Sequence, residues 1–261
     1  EHLIPKQLER HGLTPEQLTF SRHAVWKMAR SYTKEAGVRQ LEREIGNVCR
    51  KAAKEVLTTD RRKIAVTDRN IHRFLGKEKY TCQMANPEPE IGIVRGLAWT
   101  SVGGDTLQIE VNVMPGHGEI MLTGQLGDVM KESARTGISY IRSISRKYGI
   151  ADDFFEKHDI HVHIPEGAVP KDGPSAGITM AAAMLSAVTG KKVRADLAMT
   201  GVVTLRGRVL PIGGLKEKLL AAKNAGIYRV LVPKENRADV EELSSEITKG
   251  IDIVYVEHMD D

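Results

Sequence analysis

A change of pattern near residue 80 constrains the fold more than any other feature of the sequence. Up to residue 79, apolar residues recur every three or four positions, as they do on one face of an amphipathic helix. From Ile91 onward, short apolar runs alternate with turns rich in Gly and Pro, which is typical of strands. Residues 80–90 contain two prolines and no periodicity. The sequence therefore predicts a helical domain at 1–79, a linker at 80–90 and a strand-containing domain at 91–261.

The individual elements follow from the same periodicities. The first domain is expected to be helical throughout, apart from a brief strand at Ile64–Val66. In the second domain the predicted strands are 91–98, 106–114, 118–123, 160–164, 197–200, 202–210, 229–232 and 251–256, and the main predicted helices are 126–148, 174–189 and 214–225. Hairpins mixed with crossover helices predict an α/β or α+β fold for this domain.

Composition and cysteine usage are those of a globular protein from a reducing compartment. The 261 residues are 41% hydrophobic and 28% charged, which is enough apolar material to bury a core. No apolar stretch has the length of a membrane span, and the first residues do not resemble a signal peptide. Cys49 and Cys82 are far apart and form no C-x-x-C pattern. We therefore expect a cytoplasmic protein without a membrane partner.

Charge is distributed unevenly along the chain. Residues 1–79 contain 18 Lys and Arg against 10 Asp and Glu, whereas the remainder contains 20 against 24. The basic segment is compatible with binding to nucleic acid or phosphate, although a solvated helical surface is the more common explanation. The sequence has neither a G-x-x-x-x-G-K-[ST] phosphate loop nor a G-x-G-x-x-G fingerprint. We therefore expect no complete apparatus for nucleotide hydrolysis.

The turn K-D-G-P-S-A-G at 171–177 runs directly into an apolar helical stretch and carries Ser175 at the junction. Pro174 suits the first turn of a helix, so Ser175 is expected at a helix N-terminus, where free N–H groups favour negative charge. Three interpretations fit this position: a helix cap, an anion site, or a nucleophile whose oxyanion those N–H groups would bind. A nucleophile also requires a base.

Two histidines and one lysine are candidate bases. His161 and His163 share one face of a predicted strand, where they either line a site or face solvent. A metal site is not expected there, because no third ligand has a suitable spacing. Lys218 lies on the apolar side of the predicted helix 214–225. Either its stem packs while its amine reaches solvent or a carboxylate, or burial lowers its pKa and the neutral amine acts as a general base in a Ser–Lys pair.

Longer stretches of the second domain resemble the proteolytic domain of Lon, a family of ATP-dependent serine proteases. They are P-K-D-G-P-S-A-G at 170–177, M-T-G at 199–201, T-L-R-G-R-V-L-P-I-G-G-L-K-E-K-L-L-A-A at 204–222, G-L-A-W-T-S-V-G-G-D at 96–105, L-T-G-Q-L-G-D-V-M-K-E-S at 122–133 and D-I-H-V-H-I-P-E-G at 159–167. The 43 residues from Ser175 to Lys218 also agree with the spacing of the family's dyad. The resemblance implies a Lon-type α/β (α+β) proteolytic fold.

The resemblance assigns roles to the candidate residues. Ser175 would be the nucleophile and Lys218 the general base of peptide-bond hydrolysis through an acyl-enzyme, with no metal or other cofactor in that chemistry. Thr200 would hydrogen-bond the lysine amine. Backbone N–H groups around Ser175 would form the oxyanion hole.

Further positions are implied to support the site. Asp172, Gly173 and Pro174 belong to the loop before the serine, which blocks or opens the site within the family. His161 and His163 lie on the neighbouring strand and are assigned no chemical step.

The first domain resembles the small helical subdomain of the family's AAA+ ATPase module. The stretch G-V-R-Q-L-E-R-E-I at 37–45 resembles the one that carries the sensor-2 arginine, here Arg39, which would reach nucleotide phosphates. For the full-length protein the resemblance implies ATP and Mg²⁺ as cofactors, unfolded or damaged proteins as substrates, a homohexamer and, as in some members, DNA binding. This chain would be a C-terminal fragment that does not hydrolyse ATP.

One position departs from the family pattern. Val202 follows M-T-G, where the family usually has a glutamate, and loss of that carboxylate would favour the neutral form of Lys218 if the two are close. Two other hypotheses are a Lon-like assembly or nucleic-acid-binding module without peptidase activity, and a small-molecule kinase of related fold. Members of the first class usually lack the serine or the lysine, and no adenine site supports the second.

Overall fold

The chain folds into two compact units, Glu1–Cys82 and Gln83–Asp261. The computed structural model describes residues 2–35, 37–80, 85–100, 102–165 and 171–261. Residues 81–84 of the predicted linker lie outside these ranges. Across the described part of the chain, no helix is both long and apolar enough to cross a membrane.

The first unit packs its helices around one apolar core. Its elements are α1 (Leu3–Arg10), β1 (Leu18–Phe20), α2 (Arg22–Lys27) with a π-helical continuation (Met28–Tyr32), α3 (Arg39–Thr58), β2 (Ile64–Val66) and α4 (His72–Leu75). Helix α3 buries Ile45, Val48, Cys49 and Ala52. These residues recur every three to four positions, so one stripe of the helix faces the core.

The expectation of helices throughout this unit is wrong at β1. This strand pairs in parallel with β2, with Leu18 opposite Ile64 and Phe20 opposite Val66. Both ends of the pairing bury side chains, since Leu18 is 1% and Val66 is 0% exposed. A three-residue strand is too short to display two-residue alternation, and its stability depends on a partner far along the chain. Periodicity therefore does not reveal it.

The second unit is an α/β domain. Its elements are β3 (Glu90–Ile91), β4 (Ile93–Thr100), β5 (Gly103–Pro115), β6 (Ile120–Thr123), α5 (Asp128–Ser143) with a 3₁₀ turn (Ser145–Tyr148), α6 (Phe154–Lys157), β7 (His158–His163), a 3₁₀ turn (Pro174–Ala176), α7 (Gly177–Thr189), β8 (Lys192–Val193), β9 (Leu197–Met199), β10 (Val202–Val203), β11 (Val209–Leu210), α8 (Leu215–Asn224), β12 (Arg229–Pro233) with a 3₁₀ turn (Lys234–Asn236), α9 (Arg237–Glu241), α10 (Ser245–Thr248) and β13 (Asp252–Val256). The predicted order, a helical unit followed by a mixed α/β unit, is confirmed.

A mixed sheet forms the centre of the second unit. Within the described residues it has seven strands in the order β13-β12-β9-β4-β5-β7-β6, and only β5 runs antiparallel to its neighbours. Ala198 of β9 packs with α8, whereas the next residue, Met199, packs in the cluster that includes α5 and α7. Because successive strand residues point to opposite faces, helices cover both sides of the sheet.

The single strand predicted over 202–210 is wrong, because this segment is a hairpin. Val202 pairs with Leu210 and Val203 with Val209, antiparallel. Between them the Thr204 N–H donates to the Arg208 carbonyl at 3.0 Å. Gly207 adopts φ 78°, a left-handed conformation that glycine tolerates. The T-L-R-G stretch is therefore a turn, which the alternating apolar residues on either side obscured.

Both ends of the predicted linker bond to the adjacent unit. In the first unit the Tyr80 N–H donates to the Ser31 carbonyl at 3.0 Å. In the second unit the Ala85 N–H donates to the Ala225 carbonyl at 2.9 Å, at the C-terminal end of α8. Residues 85–90 thus belong structurally to the second unit.

Candidate active site

Ser175 lies on the turn that connects the loop after β7 to helix α7. It is the middle residue of the 3₁₀ turn Pro174–Ala176, and α7 begins at Gly177. The residue is half-buried. Its carbonyl oxygen accepts hydrogen bonds from the Gly201 N–H at 2.8 Å and from the Thr200 hydroxyl at 3.3 Å. These two bonds attach the serine backbone to the segment that follows β9.

Lys218 lies on the buried face of α8 and is 2% exposed. Leu215 and Leu219 of the same helix pack in the core around it, whereas Lys216 and Lys223 are exposed. Burial removes water from the ammonium group and lowers the pKa of Lys218 from 10.5 to about 8. At pH 7, roughly one amine in ten is then neutral, far more than for a solvated lysine.

Thr200 connects the lysine amine to the serine backbone. It follows β9 directly and is 0% exposed. The Lys218 Nζ donates to Thr200 Oγ1 at 3.1 Å, and that hydroxyl donates in turn to the Ser175 carbonyl. The structure thus brings together three residues that are distant in sequence, one from the turn before α7, one from the segment after β9 and one from α8.

The loop before Ser175 is attached to the beginning of α5. Asp172 Oδ1 accepts hydrogen bonds from the Met130 N–H at 3.1 Å and from the Gly173 N–H at 2.9 Å. A carboxylate in this position satisfies a free N–H of the first helical turn and interacts favourably with the helix dipole. Asp172, Gly173 and Pro174 therefore form a short link between α5 and Ser175.

His161 and His163 lie on β7, away from the three residues around Lys218. His161 Nε2 and His163 Nδ1 are 2.9 and 2.6 Å from the Thr123 hydroxyl of β6. Two strands, β4 and β5, separate β7 from β9 in the sheet. At about 4.8 Å per strand spacing, the histidines lie roughly 14 Å from the β9 segment. The structure does not bring this pair together with Lys218.

Arg39 is the first residue of α3 and is exposed. It lines a cavity of about 490 Å³ in the first unit together with Arg10, His11, Arg43, Arg50 and one carboxylate, that of Glu42. Several guanidinium groups around one cavity suit a polyanionic ligand such as a phosphate chain, because each can donate two hydrogen bonds in a planar fork.

Two residues near Ser175 received no role from the sequence. Gly201 holds the serine carbonyl through its N–H, and Ser133 of α5 donates to the Pro174 carbonyl at 3.3 Å. Both lie in stretches with family resemblance, M-T-G and L-T-G-Q-L-G-D-V-M-K-E-S. Their place in these stretches was the available signal that they matter to the site. Their hydrogen bonds could not be predicted, because a bond to a distant backbone carbonyl leaves no periodic pattern in the sequence.

The arrangement suits nucleophilic acyl transfer. A serine at the start of α7, a desolvated amine with a lowered pKa and a threonine between them supply a nucleophile, a base and a group that orients the base. Among the described residues, no group of three or more His, Cys, Asp or Glu side chains is placed to hold a metal ion. Val202 opens the β10–β11 hairpin opposite Leu210, and its influence on Lys218 stays a prediction.

Comparison with known families agrees with this architecture. Residues 65–261 match the Lon protease (S16) C-terminal proteolytic domain, and residues 9–65 match the Lon protease AAA+ ATPase lid domain. The two matches together span nearly the whole chain. The chain belongs to the Lon protease family, and the resemblance predicted from its motifs is confirmed.

Curated relatives are similar over the whole chain. A Lon protease of Lachnoclostridium phytofermentans is 55% identical, covering 100% of this chain and 37% of the relative. Lon protease 1 of Bacillus subtilis is 51% identical, covering 100% of this chain and 34% of the relative. A Lon protease of Desulforamulus reducens is 53% identical, covering 99% of this chain and 32% of the relative. The chain spans about a third of the length of the curated relatives it matches.

Proposed function

We propose that the second unit is a serine endopeptidase in which Ser175 is the nucleophile and Lys218 the general base. The observation that carries this proposal is the buried Lys218 amine, whose pKa is lowered to about 8 and whose hydrogen bond to Thr200 links it to the Ser175 backbone. An exposed lysine would be charged at neutral pH and would not accept a proton.

The reaction proceeds in two halves. The neutral Lys218 amine takes the proton of Ser175 Oγ as that oxygen attacks the scissile carbonyl, and the resulting oxyanion is bound by backbone N–H groups around Ser175. The ammonium then gives its proton to the leaving amine, which leaves an acyl-enzyme. In the second half, the Lys218 amine takes a proton from water as the water attacks the ester. The resulting ammonium gives that proton to Ser175 Oγ as the ester bond breaks and the carboxyl product leaves.

We also propose how this chain serves the whole protein. It would be the C-terminal part of an ATP-dependent Lon protease that forms a homohexamer and degrades misfolded and regulatory proteins in the cytoplasm. The similarity to Lon proteases along 99–100% of the chain supports this role.

The first unit would bind the phosphates of the nucleotide. Arg39 and the neighbouring arginines have the charge and donors to hold ATP phosphates. When bound with Mg²⁺, ATP would supply the free energy for moving substrates, and we expect no ATP hydrolysis by this chain alone. The basic charge of residues 1–79 is compatible with DNA binding as a further property.

Covalent labelling tests the proposed chemistry. A fluorophosphonate, which phosphonylates activated serines with loss of fluoride, should modify the protein at Ser175, as identified by mass spectrometry of the digested adduct. The labelling rate should rise with pH and level off above the pKa of about 8, because the neutral form of Lys218 activates the serine. Labelling at other serines only, or a rate that does not change from pH 6 to 10, would refute the assignment.

A further inference from the structure

We propose that Ser133 of α5 is a positioning residue for the nucleophile. Its hydroxyl would hold the Pro174–Ser175 peptide group in the orientation that aims the Ser175 N–H toward the developing oxyanion. The proposal deepens the peptidase function proposed above and rests on it.

The Ser133 hydroxyl lies inside the turn that carries Ser175. Ser133 is 7% exposed, and its Oγ donates to the Pro174 carbonyl at 3.3 Å. The same carbonyl accepts the Gly177 N–H, which closes the turn. A methyl group added at Gly177 would come within 2.9 Å of Ser133 Oγ. The hydroxyl therefore bonds to the residue before Ser175 and lies close to Gly177, two residues after it.

The hydrogen bonds around Ser175 constrain the two peptide groups next to it. A peptide group is planar, so a bond that fixes its carbonyl also fixes the direction of its N–H. Ser133 fixes the carbonyl of Pro174, and with it the N–H of Ser175. Gly201 and Thr200 fix the carbonyl of Ser175, and with it the N–H of Ala176. Ser133 thus orients the peptide group before Ser175, and Thr200 and Gly201 orient the peptide group after it.

The partner of Ser133 is unusual for a serine within a helix. The hydroxyl of such a serine commonly donates a hydrogen bond to a carbonyl in the preceding turn of the same helix. Ser139, on the exposed side of α5, does so with the Arg135 carbonyl at 2.8 Å. Ser133 instead reaches a carbonyl 41 residues away in the chain. Its hydroxyl stabilises the turn of the active site rather than its own helix.

Ser133→Ala tests the role, with Ser139→Ala as the matched control on the same helix. Peptide hydrolysis is measured across pH 6 to 10, and each preparation is titrated with a fluorophosphonate so that kcat refers to active sites only. Ser133→Ala should lower kcat about 10-fold with little change in KM, since misdirected donors weaken the transition state more than substrate binding. The midpoint of the pH profile should stay near 8, because the Lys218 pocket is untouched.

The outcomes separate this inference from the function on which it rests. If Ser133→Ala and Ser139→Ala both keep the parent kcat per active site while Ser175→Ala is inactive, the positioning role is overturned and the dyad stands. If fewer active sites are titrated in Ser133→Ala but each turns over normally, the residue is merely structural and the proposal also fails. If Ser175→Ala hydrolyses the peptide as fast as the parent, the proposed function fails and the positioning role with it.

Discussion

Burial of the Lys218 amine opposes folding over most of the pH range. In the unfolded chain this amine titrates at the ordinary lysine pKa of 10.5, and in the fold it titrates at about 8. Between these two values the unfolded state binds more protons, so stability rises with pH across that window. Below pH 8 both states are charged and the whole penalty is present, about 3 kcal/mol from the size of the shift.

Lys218→Met should therefore stabilise the protein while it abolishes the proposed base. At pH 7 the free energy of unfolding should increase by about 2–3 kcal/mol, because a side chain of similar length no longer carries a buried charge. The gain should shrink between pH 8 and 10.5, as the parent lysine becomes neutral in both states. Urea denaturation at pH 7, 8, 9 and 10 measures this dependence.

Lys216→Met is the control for that series. Lys216 is exposed on the same helix, so its replacement should change the free energy of unfolding by less than about 0.5 kcal/mol at every pH. A Lys218→Met variant that is no more stable than the parent at pH 7 would show that the amine is not desolvated in the fold.

At the residue scale, the sequence indicated which side chains face the core better than it indicated which backbone groups form hydrogen bonds. Helical periodicity places Lys218 on the apolar side of α8 but leaves open whether its amine reaches solvent, and the structure shows that the side chain is buried. The hydrogen bonds to the Ser175 carbonyl do not follow from any pattern. They depend on how the end of β9 meets the start of α7, which is a property of the assembled sheet.

At the element scale, the loop that leads into α8 is held by a side chain from another part of the chain. Asn236 is 2% exposed and makes two hydrogen bonds to the backbone of Ile212. The Ile212 N–H donates to Asn236 Oδ1 at 3.0 Å, and Asn236 Nδ2 donates to the Ile212 carbonyl at 2.9 Å. This pairing imitates a strand ladder and fixes the segment three residues before Leu215, where α8 begins.

Asn236→Ala should destabilise the second unit by about 1–3 kcal/mol, because it leaves the N–H and the carbonyl of the half-buried Ile212 without these partners. Chemical denaturation measures the change in the free energy of unfolding. Lys234→Ala, at an exposed site two residues earlier, serves as the control and should have little effect. Equal stability of both variants would mean that the loop does not depend on Asn236.

Elements differ in how far the sequence predicts them. Helix α3 (Arg39–Thr58) lies in the segment that the sequence predicts to be helical, and the strand predicted at 229–232 is Arg229–Pro233. Both elements contain enough buried apolar residues for the spacing of a helix or a strand to be visible in the sequence. Strand β1 has three residues and depends on pairing with the distant strand β2. Strands β10 and β11 have two residues each and depend on the tight turn between them. Local pattern carries little information about such elements.

At the scale of the whole molecule, the two units divide the proposed work. The candidate dyad and Thr200 lie in the second unit, and Arg39 lies in the first. Within the described residues each unit buries its own apolar clusters. All residues of the proposed dyad therefore lie in the second unit, and the proposed nucleotide contact lies in the first.

Peptide hydrolysis by single-residue variants tests whether Ser175 and Lys218 form the catalytic dyad. The chain, Ser175→Ala, Lys218→Ala and the control Lys216→Ala are compared at pH 8 with a fluorogenic peptide, each after its folding has been verified by circular dichroism. We expect turnover by the parent and by Lys216→Ala, and a loss of at least about 10³-fold in the other two variants, because nucleophile and base act as a unit. Turnover at the parental rate by either Ser175→Ala or Lys218→Ala would contradict the dyad.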